Sequence, residues 1–453
     1  MGNKQKLLLV SLLFTCLFTF WISRGMSSFD INVDNARDLN ALSNLWIHRI
    51  VWLGPQFSVG FPASPLYFYL LFPGLLLTGG SAYSLVFSQA VFAIGALSLI
   101  LLEKKKELFI SNLALVLALV LSPWFTQIVT KPWNGHQYVI WLLGSLVLLH
   151  VKKMNFLSAL LLGIAISIHP AALCGLPILL FEWWKSPKKR NNFLLLLLGL
   201  LLPWIPIIMF EIITKGFLTR QWLSLDAKTG IAFTYSGMAN FITIIQQINL
   251  PQIILGLSVM SAIILGTNRD RAWLLLAGVT TLSLVFVSHV LGYYLLGFTC
   301  LISFVICKAL SRKKLGQLLL VFWLISYLLI INNLGTNTYS QNSRTVGRLQ
   351  TTVSETVKIN QLSKTEKIAL VSVIDKQNST PQADDYRFFF RVVGFNAVDI
   401  AEYPQADKLI VFFERSDIDW EGWRDSQSDT FGEKELISNE IINGTRTLVY
   451  TRK

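Results

Sequence analysis

Charge is what this sequence has least of. Asp, Glu, Lys and Arg make up 14% of its 453 residues, against 53% hydrophobic residues, well under the quarter or so that a soluble globular protein carries. Cysteine is scarcer still. Cys16, Cys174, Cys300 and Cys307 stand singly in or beside apolar runs, so neither a disulfide framework nor a metal-ligand spacing can be read from them. Acidic residues are rarest in residues 1–333, where nine face 24 Lys and Arg, whereas residues 334–453 carry 17 against 15. The formal net charge of +13 therefore belongs to the apolar part, where it falls in short clusters between runs. That is the pattern of the positive-inside bias, and it argues against nucleic acid as a partner.

What the chain does have is apolar runs, at about residues 5–23, 82–102, 108–129, 136–150, 155–168, 171–184, 192–213, 252–266, 272–289, 291–307 and 315–333. Backbone polar groups in a bilayer have no water to turn to, so such runs must be helices. Lys4 and Lys6 precede the first run and no small-residue cleavage site precedes Arg24, which predicts an uncleaved first helix. Clusters at Lys104-Lys105-Lys106, Lys152-Lys153, Lys188-Lys189-Arg190, Arg269 with Arg271, and Arg312-Lys313-Lys314 occupy every second junction. With the amino terminus inside, all become cytoplasmic. The expected fold is an all-α polytopic membrane protein of eleven transmembrane helices over 1–333, with a small soluble α/β domain over 334–453 on the outer side. In that domain residues 368–374, 409–413 and 447–450 read as strands, and 346–361 and 383–393 as helices.

Two stretches of the first outer loop, residues 24–64 and 65–80, need separate treatment. Counting 65–77 as a span would invert every later basic cluster; it is short and contains Pro73, which predicts an interfacial or re-entrant helix. Residues 41–52 place Leu42, Leu45, Trp46 and Ile50 on one helical face, which predicts a helix along the membrane surface.

Elimination then narrows the chemistry. Of the nine acids in 1–333, Glu103, Glu107, Glu182 and Asp270 sit among cytoplasmic basic clusters, where surface pairing explains them. Asp30, Asp34, Asp38, Glu211 and Asp226 remain outside, and an arginine is woven among them only at Asp34-Asn35-Ala36-Arg37-Asp38. Asp34 and Arg37 share a face if the chain turns helical there. Asp34 could also cap that helix, and the two roles can coexist; Asp38 reads as a solvated or paired charge. Lys131, Trp133 and Asn134 in the second outer loop suit an anionic head group and a sugar face, or alternatively an aromatic belt with a snorkelling lysine. His169 before Pro170, and His289, read first as polar turn residues, and Glu211 with Lys215 as a pair at a helix end.

Asp34-Asn-Ala-Arg37-Asp38, followed by Leu53-Gly54-Pro55, Ser58-Val-Gly60 and Ser64-Pro65-Leu66-Tyr67-Phe68-Tyr69 with Pro73, resembles the first-loop signature of bacterial GT-C glycosyltransferases of the protein mannosyltransferase and aminoarabinose transferase type. Lys131 with Trp133-Asn134, His169-Pro170, Phe210-Glu211, Gly216-Phe217 and Arg220 continue it, so that it spans about residues 5–305. The resemblance implies an integral plasma (inner) membrane enzyme that moves a sugar from a polyprenyl-phosphate carrier to a glycan, lipid or protein acceptor on the outer side. It makes Asp34 the catalytic residue and Arg37 a donor-phosphate contact, with Lys131 and Arg220 as further phosphate contacts. Tyr67, Trp133, Asn134 and His169 become substrate contacts, and Asp38 and Glu211 further candidates. Asn35 stands where several relatives have Glu, and the second outer loop lacks the extra acid that others carry, which weakens the case for a divalent metal; no other cofactor is expected. A flippase or transporter of lipid-linked saccharide, or an oligosaccharide polymerase or ligase, are the alternatives. Transporters tend to carry ionisable groups at the bilayer midplane and related halves, and neither is visible in this chain.

Overall fold

The computed structural model describes residues 3–56, 62–101, 109–151, 155–186, 189–224, 237–286, 292–333, 344–374, 383–414, 419–421, 423 and 426–453. The chain divides into two compact units. One is Met1–Ser28, Trp52–Leu70 and Leu85–Thr336; the other is Phe29–Val51, Leu71–Ser84 and Asn337–Lys453. In chain order the helices are α1 (Asn3–Ser28), α2 (Val33–Trp46), α3 (Leu66–Leu77), α4 (Ser84–Leu101), α5 (Phe109–Val120), α6 (Pro123–Thr130), α7 (Asn134–Val151), α8 (Asn155–Ile168), α9 (Leu176–Trp184) and α10 (Lys189–Leu201). They continue as α11 (Ile205–Ile213), α12 (Phe217–Ser224), α13 (Gly237–Ile248), α14 (Gln252–Leu265), α15 (Asn268–Leu282), α16 (Leu296–Ser311), α17 (Lys314–Asn333), α18 (Val346–Ile359), α19 (Asp384–Val392) and α20 (Ser426–Thr430).

Every expected apolar run carries helix, but few of the helices are full-length spans. Among the described residues, Lys4–Ser28, Ser84–Leu101 and Phe193–Ile213 are long and apolar enough to cross a bilayer; two bent pairs raise the count to five. The run expected as one span over 108–129 is two helices bent by 67°, because Pro123 has no N–H to continue the ladder and instead opens α6. Residues 214–250, between two of the apolar runs, contain α12 and α13, and α13 meets α14 at 95°. Asp226 and His289 lie outside the described residues, as do Glu103, Glu107, Lys104–Lys106, Lys152-Lys153 and Ser58–Gly60.

The first unit is built around α7 and α16, each buried on nearly all sides, as a helix apolar all round requires. Outer helices expose large aliphatics, among them Leu194, Ile212, Ile253 and Leu275, which is the surface a bilayer tolerates and water does not. On α8 and α10, a Cβ on Gly163 would lie 2.8 Å from Gly199 O, and one on Gly199 would lie 2.7 Å from Phe156 O. Only glycine lets these two backbones approach so closely.

One expectation about this unit needs correction. Glu182 and Asp270 are paired, but not as surface charges. Asp270 and Lys308 are fully buried with 3.2 Å between them, Arg312 lies 3.3 Å from Asp270, and Glu182 accepts from Arg269 at 2.7 Å and from the Trp273 indole at 2.6 Å. These contacts join α9, α15 and α16.

The second unit holds a five-stranded sheet of β1 (Lys367–Val373), β2 (Asn396–Ala397), β3 (Lys408–Phe413), β4 (Lys434–Ile442) and β5 (Thr445–Arg452), in the order β2-β1-β3-β5-β4. β1 runs parallel to β2 and β3, while β5 is antiparallel to both β3 and β4. Alternation divides the strands. Ala369, Val371, Val373, Leu409, Val411 and Phe413 join one core, while on β3 Phe412 takes the ring of Tyr386 from α19 at 3.8 Å. The strands and helices expected in the tail are found. β4 was not expected, because Lys434, Glu435, Ser438, Asn439 and Glu440 give an edge strand exposed along most of its length no apolar face to read.

The surface helix expected over 41–52 is not formed. α2 ends at Trp46, His48 takes φ +62°, and Ile50 is exposed. Its buried Ala36, Leu39, Leu42 and Leu45 are covered within the second unit, where α2 packs on α19. The segment at 65–77, expected to be interfacial or re-entrant, is α3, twelve residues with Pro73 inside it and shorter than a span needs.

Candidate active site

Asn32 starts the helix that carries the first-loop motif. Its backbone is extended and its side-chain oxygen accepts the amide of Asn35 at 2.9 Å, satisfying a donor that the first helical turn leaves open. Asp34, weighed as the cap from sequence, is instead the second helical residue. Its carboxylate is therefore turned away from capping and along the helix, where Arg37 reaches it one turn later.

Arg37 holds two carboxylates at once. Nη1 donates to Asp34 Oδ1 at 2.9 Å, while Nε and Nη2 donate to Asp38 Oδ1 at 3.0 and 2.8 Å. The three side chains differ in access: Asp34 is 43% exposed, Arg37 29% and Asp38 0%. Asp38 is thus a buried paired charge rather than a solvated one, and it fixes the guanidinium from the protein side. Among the described residues nothing bonds the second oxygen of Asp34. A half-exposed carboxylate with one free oxygen can take a proton, and a cation beside it can receive an anionic group. Asn35 is 4% exposed; its Nδ2 donates to Asp30 O at 3.4 Å and its Oδ1 is buried without a partner among the described residues.

The remaining candidates belong to the first unit. Lys131 follows α6 and is exposed, its carbonyl 2.6 Å from Nδ1 of His136. The Trp133 indole lies over Gly135, where an added Cβ would come within 2.7 Å of it, and stands edge-on to His136 at 5.3 Å. Asn134 opens α7 and is 6% exposed. Tyr67 is buried in the first turn of α3 against Phe68. His169 is buried as well: its Nδ1 accepts the amide of Ala171, capping the short 3-10 turn Pro170–Gly175, and its ring stacks on Tyr138 at 4.7 Å with Tyr294 edge-on at 4.5 Å.

Glu211 does not pair with Lys215. Its carboxylate accepts the amides of Leu218 and Thr219 at 2.6 and 3.2 Å and the Thr219 hydroxyl at 2.7 Å, closing the amino end of α12. Lys215 and Gly216 make the reversal with φ +54° and +82°, which turns Lys215 away from a helical i, i+4 position. Arg220, on α12, donates to Thr214 O at 3.3 Å. Among the described residues no three His, Cys, Asp or Glu side chains gather as metal ligands would.

Comparisons with known proteins agree on the fold. No family model and no curated protein sequence matches the chain. Two crystal structures of ArnT from Cupriavidus metallidurans do match. The one bound to undecaprenyl phosphate is 10% identical, with a TM-score of 0.63 over 99% of this chain and 98% of that one. The apo form is 11% identical, with a TM-score of 0.61 over 97% of each chain. A cryo-EM structure of the mycobacterial arabinofuranosyltransferase AftD matches at 13% identity and a TM-score of 0.44, over 97% of this chain and 40% of that one. The fold expected from the first-loop resemblance, GT-C, is the fold shared with ArnT.

Proposed function

We propose that this chain is a multi-pass membrane glycosyltransferase that moves a sugar from a polyprenyl-phosphate-linked donor to an acceptor hydroxyl on the outer face of the plasma (inner) membrane. The observation that carries the reading is the Asp34–Arg37 pair: a part-exposed carboxylate, its second oxygen without a partner among the described residues, beside a cation anchored from behind by Asp38. The shared fold supports it, since ArnT was crystallised with undecaprenyl phosphate. Eleven spans, with the catalytic membrane part over 1–333 and the α/β tail outside, remain the proposed topology, supported by helix in every apolar run and by the alternation of basic clusters.

In the proposed reaction the acceptor oxygen attacks the anomeric carbon as its bond to the phosphate oxygen breaks. The acceptor proton passes to Asp34, and the polyprenyl phosphate leaves with the bonding pair, its charge met by Arg37. Because Nε and Nη2 stay on Asp38, Nη1 can move from Asp34 to the phosphate without freeing the guanidinium, and that exchange releases Asp34 as a base. Attack opposite the leaving group inverts the anomeric centre. Lys131 and Arg220 are proposed as phosphate contacts, and Tyr67, Trp133, Asn134 and His169 as substrate contacts. The acceptor is a glycan, a lipid or a protein.

The test is transfer of radiolabelled sugar from a panel of polyprenyl-phosphate sugars in proteoliposomes. Wild-type protein should transfer one of them and Asp34→Asn should not, with the variant still folded. A wild-type protein that consumes no donor, or an Asp34→Asn variant as fast as wild type, rejects the mechanism.

A further inference from the structure

The helix that bears Asp34, Arg37 and Asp38 packs on the carboxyl-terminal domain, and one buried arginine there meets three of its side chains. We propose that Arg391 is a positioning residue: it sets the rotation of α2 about its own axis, and so the aim of the Asp34–Arg37 pair. Arg391 lies on α19 and is 2% exposed. Nη1 meets three acceptors on a single face of α2, Asn40 Oδ1 at 3.1 Å, Ser43 Oγ at 3.3 Å and Asn44 Oδ1 at 2.8 Å. Its other nitrogens are fixed on the domain itself, Nε on Ala397 O and Nη2 on Asp399 Oδ1, both at 2.8 Å.

Burying a guanidinium is costly unless its hydrogen bonds are satisfied. An apolar side chain would fill the same space and leave α2 able to roll. Asn40, Ser43 and Asn44, at i, i+3 and i+4, form one stripe, and Asp34, Arg37 and Asp38 form another with the same spacing. The two stripes are rigidly linked, so a donor that fixes the first fixes the second. A roll of about 20° would carry the tip of a side chain some 6 Å from the axis through roughly 2 Å, more than transfer chemistry tolerates. Further contacts hold the same loop along its length: Ile31 N donates to Arg344 O at 3.0 Å, Asn40 Nδ2 to Asp384 Oδ1 at 2.9 Å, and Arg49 to Asp399 at 2.9 Å.

This inference rests on the proposed role of Asp34 and Arg37, but its test has an arm independent of catalysis. Amide hydrogen exchange and sugar transfer would be measured on the full chain in proteoliposomes for wild type, Arg391→Lys and Asn44→Ala. Asn44→Ala keeps the Arg391–Asp399 pair and so guards against loss of folding. Both variants should lose at least tenfold in amide protection across residues 33–46 while β1, β3 and β5 exchange as in wild type. Transfer should fall in kcat by about a hundredfold with KM for the donor little changed. Unchanged protection in α2, or a loss spread equally over the sheet, overturns the proposal. If wild type transfers no sugar, the proposed function falls, and the exchange arm still decides whether Arg391 positions α2.

Discussion

Arg37 reaches forward to Asp34 with one nitrogen at 2.9 Å and is held from behind by a second carboxylate, Asp38, that no solvent touches. The pair at the surface therefore has a partner in the interior that keeps the cation in place when the surface contact changes.

Substitutions at Asp34 and Arg37 should separate chemistry from binding. Asp34→Asn removes the proposed base and leaves the shape, so kcat should drop by about 10² to 10⁴ while donor still protects the protein against thermal unfolding. Arg37→Lys keeps a charge but cannot span Asp34 and Asp38 together, and should weaken the protection given by undecaprenyl phosphate. Donor protection lost in Asp34→Asn and kept in Arg37→Lys would reverse the assigned roles.

Asp38→Asn tests the interior anchor. The guanidinium would lose its buried counter-charge, a change of about 3 to 5 kcal/mol at most for a broken buried pair, seen as a lower melting temperature and reduced transfer. Asp30→Asn, outside this pair, should do neither.

The buried charges of the first unit make a prediction about stability alone. Asp270→Ala leaves Lys308 buried over the Trp273 face without its carboxylate partner, and should cost roughly 3 to 5 kcal/mol. Lys308→Met with Asp270→Leu removes both charges and should recover part of that loss. Thermal unfolding in detergent decides the question, and a double variant worse than the sum of the singles would contradict it.

Asp384 gives a pH dependence. Burial pushes its carboxyl up to about 6, against the opposing Arg387 and with Asp385 and Asp399 adding to the rise. A carboxyl that holds its proton more tightly when folded favours the folded chain below about pH 4, and that contribution fades as pH rises through about 6. Wild-type stability relative to Asp384→Asn should therefore fall by up to ~3 kcal/mol between pH 4 and pH 7. Parallel curves for the two proteins over that interval would refute the assignment.

Sequence periodicity located nearly every helix and most strands, because burial face and bilayer length write themselves into residue type. It also singled out Asp34 and Arg37 as candidates, since acids are few in residues 1–333 and only there is an arginine set among them. It left the cap open, because Asn32 and Asp34 both suit that position and only backbone geometry chooses between them. It sent Leu42 and Leu45 to a membrane surface, because an amphipathic face shows that it is covered and not by what.

Composition alone determined that this is a chain of apolar helices with a polar tail, and it set the acids and arginine of residues 30–38 apart as candidates. Only the tertiary structure decided that Asn40, Ser43 and Asn44 answer Arg391, some 350 residues away in the chain. Helical spacing is local and can be read along a sequence. A hydrogen bond between distant residues exists only once the folded backbone has brought its two ends together.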